Sequence, residues 1–208
     1  SDFMAFAHHV YENFIEGKHH KIIAEKLERI AKGELKRLIV NMPPRHSKSE
    51  LASYLMPAWF LGRNPKLKII QATHNTELAV RFGRKVRDLI DDPHYKDVFP
   101  KTDLKADSKA AGRWETSEGG EYFAAGVGAA VTGRGADLFI IDDPHSEQDA
   151  LSETAFDNAY EWYTSGPRQR LQPGGSIIVV MTRWGLKDLT GRLIKAQGSD
   201  IMSDEWEI

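Results

Sequence analysis

The stretch LIVNMPPRHSKS, residues 38–49, decides the fold of this chain. Its first three residues are apolar and predict a short buried strand, and the two prolines that follow end that strand in a loop. Beyond the loop, Ser49 to Leu61 is predicted to be helical, with Pro57 expected to bend or shorten the helix. A strand, a loop that ends in Lys48-Ser49 and a helix form, in this order, the arrangement of a phosphate-binding P-loop.

This loop carries the groups that the phosphates of a nucleotide need. Backbone N–H groups and the positive end of the following helix attract phosphate, the Lys48 ammonium suits the β- and γ-phosphates, and the Ser49 hydroxyl suits Mg²⁺. The candidate cofactor-binding residues are Pro44, Arg45, His46, Ser47, Lys48 and Ser49. Met42 and Ser47 stand where the G-x-x-x-x-G-K-[ST] pattern has glycines. An ordinary surface loop stiffened by prolines therefore stays an alternative.

Two aspartates follow the strongly apolar residues 138–141, LFII. Mg²⁺ bound to phosphates needs a carboxylate near it, and hydrolysis needs a base that orients or deprotonates a water molecule. We therefore assign Asp142 to the metal site and Asp143 to the attacking water, with Glu147 as a second candidate for the base. The alternative is that an Asp-Pro pair at the end of a strand only starts a turn.

A third apolar strand, residues 176–181, ends at Thr182. The carboxyl ends of parallel strands converge on the ligand side of a sheet. Thr182 is therefore a candidate to sense the γ-phosphate by hydrogen bonding and to pass its loss to the rest of the chain. Its alternative role is to cap a helix predicted from Leu186 to Ala196.

Arginines are candidates because phosphoryl transfer gains from a positive charge near the transferred group. Arg45 lies inside the phosphate loop and is placed to act within its own chain. Arg134 lies between two glycines just before the acidic strand, in TGRG at residues 132–135, and could reach a neighbouring subunit or simply face solvent. Arg168 and Arg170 are weaker candidates for the same role.

The remaining pattern predicts an α/β fold. Strands at residues 67–72, 138–141 and 176–181 alternate with helices, of which residues 76–90 form one, so we expect a mostly parallel sheet covered by helices on both faces. Residues 113–115 and 121–125 predict a hairpin. The final residues, 204–208, read as the start of another strand. We expect one domain over residues 1–208, with a helical region at 1–35 and a P-loop core at 36–200.

Composition excludes some classes of site and leaves others open. The chain has no cysteine, which excludes disulfides and thiolate metal sites, and its net charge of -2 argues neither for nor against a nucleic-acid partner. The sequence contains no run of about 18 apolar residues, the length that would predict a membrane span, so we expect no membrane partner.

With these motifs in view, the chain resembles the ATPase domain of the large terminase subunit of tailed bacteriophages. The resemblance rests on PPRHSKS at residues 43–49, IDDP at 141–144 and MTRW at 181–184, and DLTGRL at 188–193 adds to it. It implies a P-loop ATPase fold of the additional-strand class, related to RecA and helicases. It also implies that ATP and Mg²⁺ drive double-stranded DNA into a viral procapsid.

The resemblance carries roles to individual residues. It places Lys48 and Ser49 on the phosphates and Mg²⁺, Asp142 and Asp143 at the acid pair, and Thr182 in the coupling motif. The nearest match to a finger that acts between subunits is Arg134. Members of the family often have glycine where this chain has Ser47.

The resemblance also implies partners and a location. Large terminases assemble as a ring, usually a pentamer, on the portal protein, together with the small terminase subunit, in the host cell cytoplasm. A metal-dependent nuclease domain normally follows the ATPase domain. Its acids have no place in these 208 residues, so we expect ATPase activity without nuclease activity. A helicase-like DNA translocase and a nucleotide-binding module with a decayed P-loop stay as alternatives.

Overall fold

The computed structural model describes residues 2–131, 133–198 and 204–208. Its strands are β1 (Arg37–Asn41), β2 (Lys68–Thr73), β3 (Leu104–Ala110), β4 (Arg113–Thr116), β5 (Glu121–Gly126), β6 (Ala136–Asp142) and β7 (Leu171–Met181). Its helices are α1 (Phe3–Val10), α2 (Lys18–Ala31), α3 (Met56–Arg63), α4 (Thr76–Ile90), α5 (Pro93–Val98), α6 (Glu153–Ser165) and α7 (Leu189–Ala196). Thr132 of the predicted glycine-flanked loop and the predicted core boundary at residue 200 lie outside the described residues.

Within the described residues, seven strands form one sheet in the order β1-β7-β6-β2-β5-β4-β3. Neighbouring strands from β1 to β5 in this order are parallel, and β4 and β3 are added antiparallel. The predicted hairpin is therefore confirmed as β4 and β5. Strand β7 lies between β1, which precedes the phosphate loop, and β6, which precedes the acid pair. This inserted strand confirms the α/β fold of the additional-strand class.

The last described residues run beside β1 at the edge of the sheet. Glu207 forms a parallel bridge with Leu38. The Glu207 carboxylate accepts hydrogen bonds from Lys26 Nζ at 2.7 Å and Arg29 Nη1 at 2.8 Å, both on α2. Residues 204–208 were predicted to start another strand, and a strand-like bridge is observed at Glu207.

Helices cover both faces of the sheet because the central strands are apolar on both faces. On β6, Leu138 and Ile140 join a core with helices α1 to α5, whereas Phe139 and Ile141 join a core with α6 and α7. A strand buried on both faces reads as a continuous apolar run, which explains LFII. The acid pair that follows is therefore held at the end of a rigid central strand.

The helix after the phosphate loop is irregular at the predicted place. A π-helical segment, Glu50–Leu55, leads into α3, and the N–H of Met56 donates to the carbonyl of Leu51, five residues earlier. Pro57 follows in the first turn of α3. A proline has no N–H, and its ring clashes with the carbonyl four residues before it in an α-helix. A wider turn before Pro57 removes that clash, so the helix continues after a local change of pitch.

Two elements form in segments whose sequence is typical of turns. Residues 91–108 contain α5, which begins where the Asp92 side chain accepts the N–H of His94. Residues 173–175, PGG, lie within β7. The pairing of β6 with β7 shifts register between Ala136 and Leu138. The glycines therefore form an irregularity inside the strand rather than its start.

A substitution at Gly83 tests how the β3–β4 hairpin packs on α4. A Cβ atom at Gly83 would lie 2.3 Å from the carbonyl oxygen of Ala111. Glycine to alanine in a helix interior normally stabilises by about 1 kcal/mol. Because backbone occupies the space here, we expect Gly83→Ala to lower the free energy of unfolding by about 1–3 kcal/mol, measured by urea denaturation.

The control is Arg81→Ala, an exposed position on the same helix. It should change the free energy of unfolding by less than about 0.5 kcal/mol. A Gly83→Ala protein as stable as the wild type would contradict the close packing of the hairpin on α4.

Candidate functional site

The ends of three parallel strands bring the predicted site residues to one edge of the sheet. Asn41, the last residue of β1, lies opposite Met181 of β7, and Asp142 of β6 lies opposite Val180 of β7. The phosphate loop, the acid pair and Thr182 therefore leave the sheet side by side, although they are far apart in the sequence.

The phosphate loop contains two residues other than glycine in a backbone conformation that favours glycine. Arg45 and Ser47 have φ values of 64° and 61°, in the left-handed region that favours glycine. A ring N–H of His46 lies 2.9 Å from the carbonyl oxygen of Pro44, which it can bond. Ser47 thus stands in the conformation of the glycine it replaces. Residues 45–50 line a cavity of about 300 Å³.

Asp142 is the buried centre of the site, with 1% of its surface exposed. The hydroxyl of Ser49 donates to Asp142 Oδ1 at 3.0 Å, and the hydroxyl of Ser53 donates to Oδ2 at 2.6 Å. Both serines belong to the helix that follows the phosphate loop. The two hydrogen bonds therefore join that helix directly to the end of β6.

Burial is the largest influence on the pKa of the Asp142 carboxyl. Desolvation, followed by the charge of Asp143, raises the pKa of Asp142 from 3.8 to about 6, against the opposing effects of Ser53, Ser49 and Lys48. At neutral pH the group is ionised and held at a cost in stability. A cation bound beside it would relieve that cost, which is the electrostatic character expected of a metal site.

Lys48 and Asp143 complete the polar centre. Lys48 is 6% exposed, and its Nζ lies 3.9 Å from Asp143 Oδ1. Asp143 has a φ of 43°. Its N–H donates to the carbonyl of Val180 at 2.8 Å, and its own carbonyl accepts the N–H of His74 at 3.1 Å. Neighbouring strands thus hold a strained backbone in place and direct the Asp143 carboxylate toward Lys48.

Thr182 connects β7 to the start of the phosphate loop. Its hydroxyl donates to the carbonyl oxygen of Met42 at 3.2 Å, and the N–H of Met42 donates to the carbonyl of Met181 at 3.3 Å. The residue that the sequence suggested as a phosphate sensor is therefore bonded to the loop itself. The alternative, that Thr182 caps the next helix, is wrong, because Asp188 caps α7.

The structure does not bring Arg134 to the acid pair of its own chain. Its guanidinium lies 4.1 Å from the ring centroid of Phe123 on β5, a cation–π contact. Phe123 of β5 and Phe139 of β6 both lie opposite Ile70 of β2. Arg134 therefore contacts the sheet at the height of Phe139, which is three residues before Asp142 on β6. A role for Arg134 between subunits stays a prediction.

The other sequence candidates have varied surroundings. Arg45 and Glu147 are exposed, Arg45 in the phosphate loop and Glu147 in the turn after the acid pair. Arg168 pairs with Asp204 at 3.3 Å, which directs it away from the acid pair. Arg45 and Glu147 stay candidates.

The donor set fits Mg²⁺ bound together with phosphates. The described residues hold no group of three or more His, Asp or Glu side chains arranged for a metal ion. Mg²⁺ held beside phosphates takes few protein ligands and keeps several waters. Ser49 gives its proton to Asp142 and keeps its oxygen lone pairs, so Ser49 can bind the ion while Asp142 stays behind it.

Ser53 is the site residue that sequence reasoning missed. It is fully buried and makes the shorter of the two hydroxyl bonds to Asp142. Its spacing of four residues from Ser49 places both on one face of a helix, and that spacing was the available signal. Two histidines of α2 lie near the phosphate loop or the start of their helix. The ring of His19 lies 6.1 Å from that of His46, and His20 accepts the N–H of Gly17.

Comparison with known proteins places the fold. No protein-family model and no curated protein matches this chain. The crystal structure of the HK97 bacteriophage large terminase is similar over 95% of this chain and 41% of that chain, with a TM-score of 0.63 and 13% sequence identity. A mutant large terminase ATPase domain of Thermus phage P74-26 is similar over 77% of this chain and 65% of that chain, with a TM-score of 0.48 and 15% identity.

The resemblance inferred from the sequence is therefore confirmed at the level of the fold: this chain has the fold of a large terminase. It spans about two fifths of the HK97 protein. In the part of the chain that the structure describes, no helix is both long and apolar enough to cross a membrane.

The raised pKa of Asp142 predicts how stability changes with pH. A rise from 3.8 to about 6 means that the folded, metal-free domain loses about 3 kcal/mol as pH increases from 4 to above 6. Asparagine has the same shape, can bond both hydroxyls and cannot ionise. We expect Asp142→Asn, in chelator and without nucleotide, to exceed the wild type in unfolding free energy at pH 8 and to match it near pH 4, as measured by urea denaturation.

The control is Asp107→Asn, which removes an exposed carboxylate on β3. It should leave the pH dependence of stability close to that of the wild type. A difference between Asp142→Asn and wild type that is the same at both pH values would show that charge burial is not its cause.

Proposed function

We propose that this chain is the ATPase domain of a bacteriophage terminase large subunit, which hydrolyses ATP with Mg²⁺ to move double-stranded DNA into a procapsid. The observation that carries the proposal is the convergence of Lys48, Ser49 and the acid pair at one sheet edge, with Ser49 bonded to Asp142 at 3.0 Å. The likeness of fold to the HK97 large terminase supports it.

Each residue then has one task in hydrolysis. The N–H groups of residues 45–49 and the start of their helix bind the phosphates. Lys48 exchanges its Asp143 partner for the β- and γ-phosphate oxygens, which leaves the Asp143 carboxylate available to orient and deprotonate the attacking water. Mg²⁺, when bound by Ser49, supplies positive charge to the reacting phosphates. Asp142 fixes the Ser49 hydroxyl through its hydrogen bond.

Charge stabilisation would come from arginines. Arg45 is exposed within the phosphate loop and is placed to reach the transferred phosphoryl group of its own chain. Arg134 lies on another part of the sheet, so its contribution would be to a neighbouring subunit. Thr182, bonded to Met42, would respond to changes in the loop when the γ-phosphate leaves.

The proposed assembly follows from the family likeness. It comprises a homo-oligomeric ring, as a pentamer, on the portal protein, with the small terminase subunit as a further partner. Its location is the host cell cytoplasm. In this proposal the isolated domain hydrolyses ATP slowly, because contacts from neighbouring subunits are missing.

A nucleotide-binding module with a decayed P-loop is the second candidate, favoured by the two missing glycines. The φ of 61° at Ser47 argues against decay, since the loop keeps the glycine conformation. Titration calorimetry with Mg-ATP and a turnover assay separate these functions: the module would bind without turnover, and the motor would do both.

Two substitutions test the assigned chemistry. Lys48→Ala removes the ammonium that binds both ground-state and transferring phosphates, so we expect turnover to fall by at least about 10²-fold and Mg-ATP affinity to fall with it. Asp143→Asn keeps the shape and loses the base. We expect it to bind Mg-ATP within about threefold of wild type and to lose about 10²–10⁴-fold in kcat.

Lys66→Ala, an exposed lysine outside the site, is the control and should retain wild-type turnover. Lys48→Ala with unchanged hydrolysis would place the nucleotide site elsewhere. Loss of binding in Asp143→Asn would assign that residue to the metal or to the structure of the strand end.

A mixing experiment tests whether Arg134 acts between subunits. Arg134→Ala subunits keep a complete nucleotide site, and Lys48→Ala subunits keep the arginine. If Arg134 serves the neighbour's site, each variant ring is inactive alone, and mixed rings regain part of the wild-type ATPase rate, because some complete sites receive an intact arginine.

The control for mixing replaces the Lys48→Ala subunits by subunits that carry both substitutions. These should restore nothing. Equal rates in both mixtures would mean that Arg134 does not act in trans.

A further inference from the structure

The first turn of α7 is bonded to all three strand ends that form the proposed nucleotide site. The sequence DLTGRL at residues 188–193 builds this turn, and no step of hydrolysis uses it. Its contacts come from β1, from the segment after β6 and from the segment after β7. Each of these precedes or follows a group that would touch the nucleotide or its water.

The contact from β1 is made by Asn41, immediately before the phosphate loop. Asn41 Nδ2 donates to Thr190 Oγ1 at 3.0 Å. The contact from β6 is made by His145, two residues after Asp143. His145 Nε2 accepts the N–H of Leu189 at 3.0 Å.

The contact from β7 is made through Asp188, the N-cap of α7. Asp188 Oδ2 accepts from Arg183 Nε at 3.0 Å and from the N–H of Trp184 at 2.9 Å, both directly after Thr182. Asp188 Oδ1 accepts the N–H of Gly191 at 2.9 Å. One carboxylate therefore joins the end of β7 to the backbone of α7.

The bond of His145 to Leu189 is buried, and the bonds of Asn41 and Asp188 are partly buried. Asp188, Leu189 and Thr190 are fully buried, and His145 is 3% exposed. A Cβ atom at Gly191 would lie 2.0 Å from the carbonyl oxygen of Leu186, so the turn is closely packed as well as bonded. Water cannot easily replace a hydrogen bond lost here, and a shift of one strand end must either move α7 or leave a buried polar group without its partner.

We propose that the first turn of α7 is the junction that converts the nucleotide state into movement of α7, with Asn41, His145 and Asp188 as positioning residues. The inference rests on the proposed function, because it needs a nucleotide at the strand ends. When phosphates engage the loop and Lys48 leaves Asp143, the ends of β1, β6 and β7 change their relative positions. Helix α7 follows, since it is bonded to all three.

The outer side of α7 carries the movement to the surface. Arg192 and Lys187 pair with Asp157 and Glu153 of α6, both at 2.5 Å. The two helices border a groove of about 480 Å³. Because exposed Leu186 lies at this groove, displacement of α7 changes a surface and not only the interior.

The test measures hydrogen–deuterium exchange of α7 amides in this chain, with and without Mg²⁺ and a non-hydrolysable ATP analogue. In the wild type we expect the analogue to slow exchange of Gly191 to Ile194 by about tenfold. Thr190→Val removes the acceptor for Asn41 with little change of shape, and should reduce this response to less than about twofold. Thr190→Ser keeps the acceptor and should retain the response.

A second pair of variants tests the link to β6. Glutamine places a polar atom near the position of Nε2, and asparagine places it near Nδ1. We expect His145→Gln to keep the nucleotide response and His145→Asn to lose most of it. In all four variants, calorimetry should show analogue affinity within about twofold of wild type, since none touches the nucleotide.

Ser152→Ala is the structural control. Ser152 caps α6 through the N–H of Ala155 at 3.1 Å and contacts none of the three strand ends. It should weaken a neighbouring helix while leaving the α7 response intact. If Ser152→Ala loses the exchange response as Thr190→Val does, the response depends on general helix stability and not on the bonds of this turn. That result would overturn the inference.

The outcomes separate this inference from the proposed function. If the wild type binds the analogue and α7 exchange does not change, the inference is overturned and the proposed function stands. If calorimetry shows no binding to the wild type, both are overturned. The junction is supported if the wild type, Thr190→Ser and His145→Gln show the exchange response. Thr190→Val and His145→Asn should then lack it.

Discussion

The site depends on one buried carboxylate, Asp142, and on the two hydroxyls that hold it. Desolvating a charge at the end of a fully covered strand is costly, and hydroxyl donors offset only part of that cost. The bonds from Ser49 and Ser53 also set where the helix after the phosphate loop begins relative to β6. Ser49, the phosphate loop and the acid pair thus share one constraint. Replacing a buried charge by an apolar residue of similar volume is often neutral or stabilising, so stability alone does not account for an aspartate at position 142.

Backbone strain lies at the same edge of the sheet. Arg45, Ser47 and Asp143 all have φ between 43° and 64° without being glycine, at a cost of about 1 kcal/mol or more each. Such conformations persist where surrounding bonds over-determine them. Asp143 is held by the carbonyl of Val180 and the N–H of His74, and the loop is held by Thr182 at Met42. Ser47, at a glycine position of the P-loop pattern, therefore keeps a backbone conformation that favours glycine, at a conformational cost.

The sequence predicted what depends on periodicity and missed what depends on three-dimensional contact. Residues 76–90 were predicted to be helical and form α4 with the same limits, because a 15-residue amphipathic pattern capped by Asn75 leaves little choice. The mostly parallel sheet covered on both faces followed from apolar runs, whereas the additional-strand class was implied by the resemblance to large terminases. Ser53 was missed because its partner lies 89 residues away, and the role of a serine inside a helix depends on what it faces. The contact of Arg134 with Phe123 was equally inaccessible, because it depends on the path of a loop across the sheet.

The arrangement at α7 explains how a rigid central sheet can report a small chemical change. Strands β1, β7 and β6 are hydrogen-bonded along their lengths, so their bodies resist displacement and movement is confined to their ends. A single end bonded to a helix would let that helix pivot freely. Bonds from three ends fix both its position and its direction. They are made by Asn41 at the end of β1, by His145 after β6, and by Arg183 and Trp184 after β7. Since Asp188, Thr190 and His145 are themselves buried, intermediate positions would leave their polar groups unsatisfied, which favours two discrete arrangements over a continuous range. The end of β6 thus carries the acid pair and, two residues later, the bond from His145 to the first turn of α7.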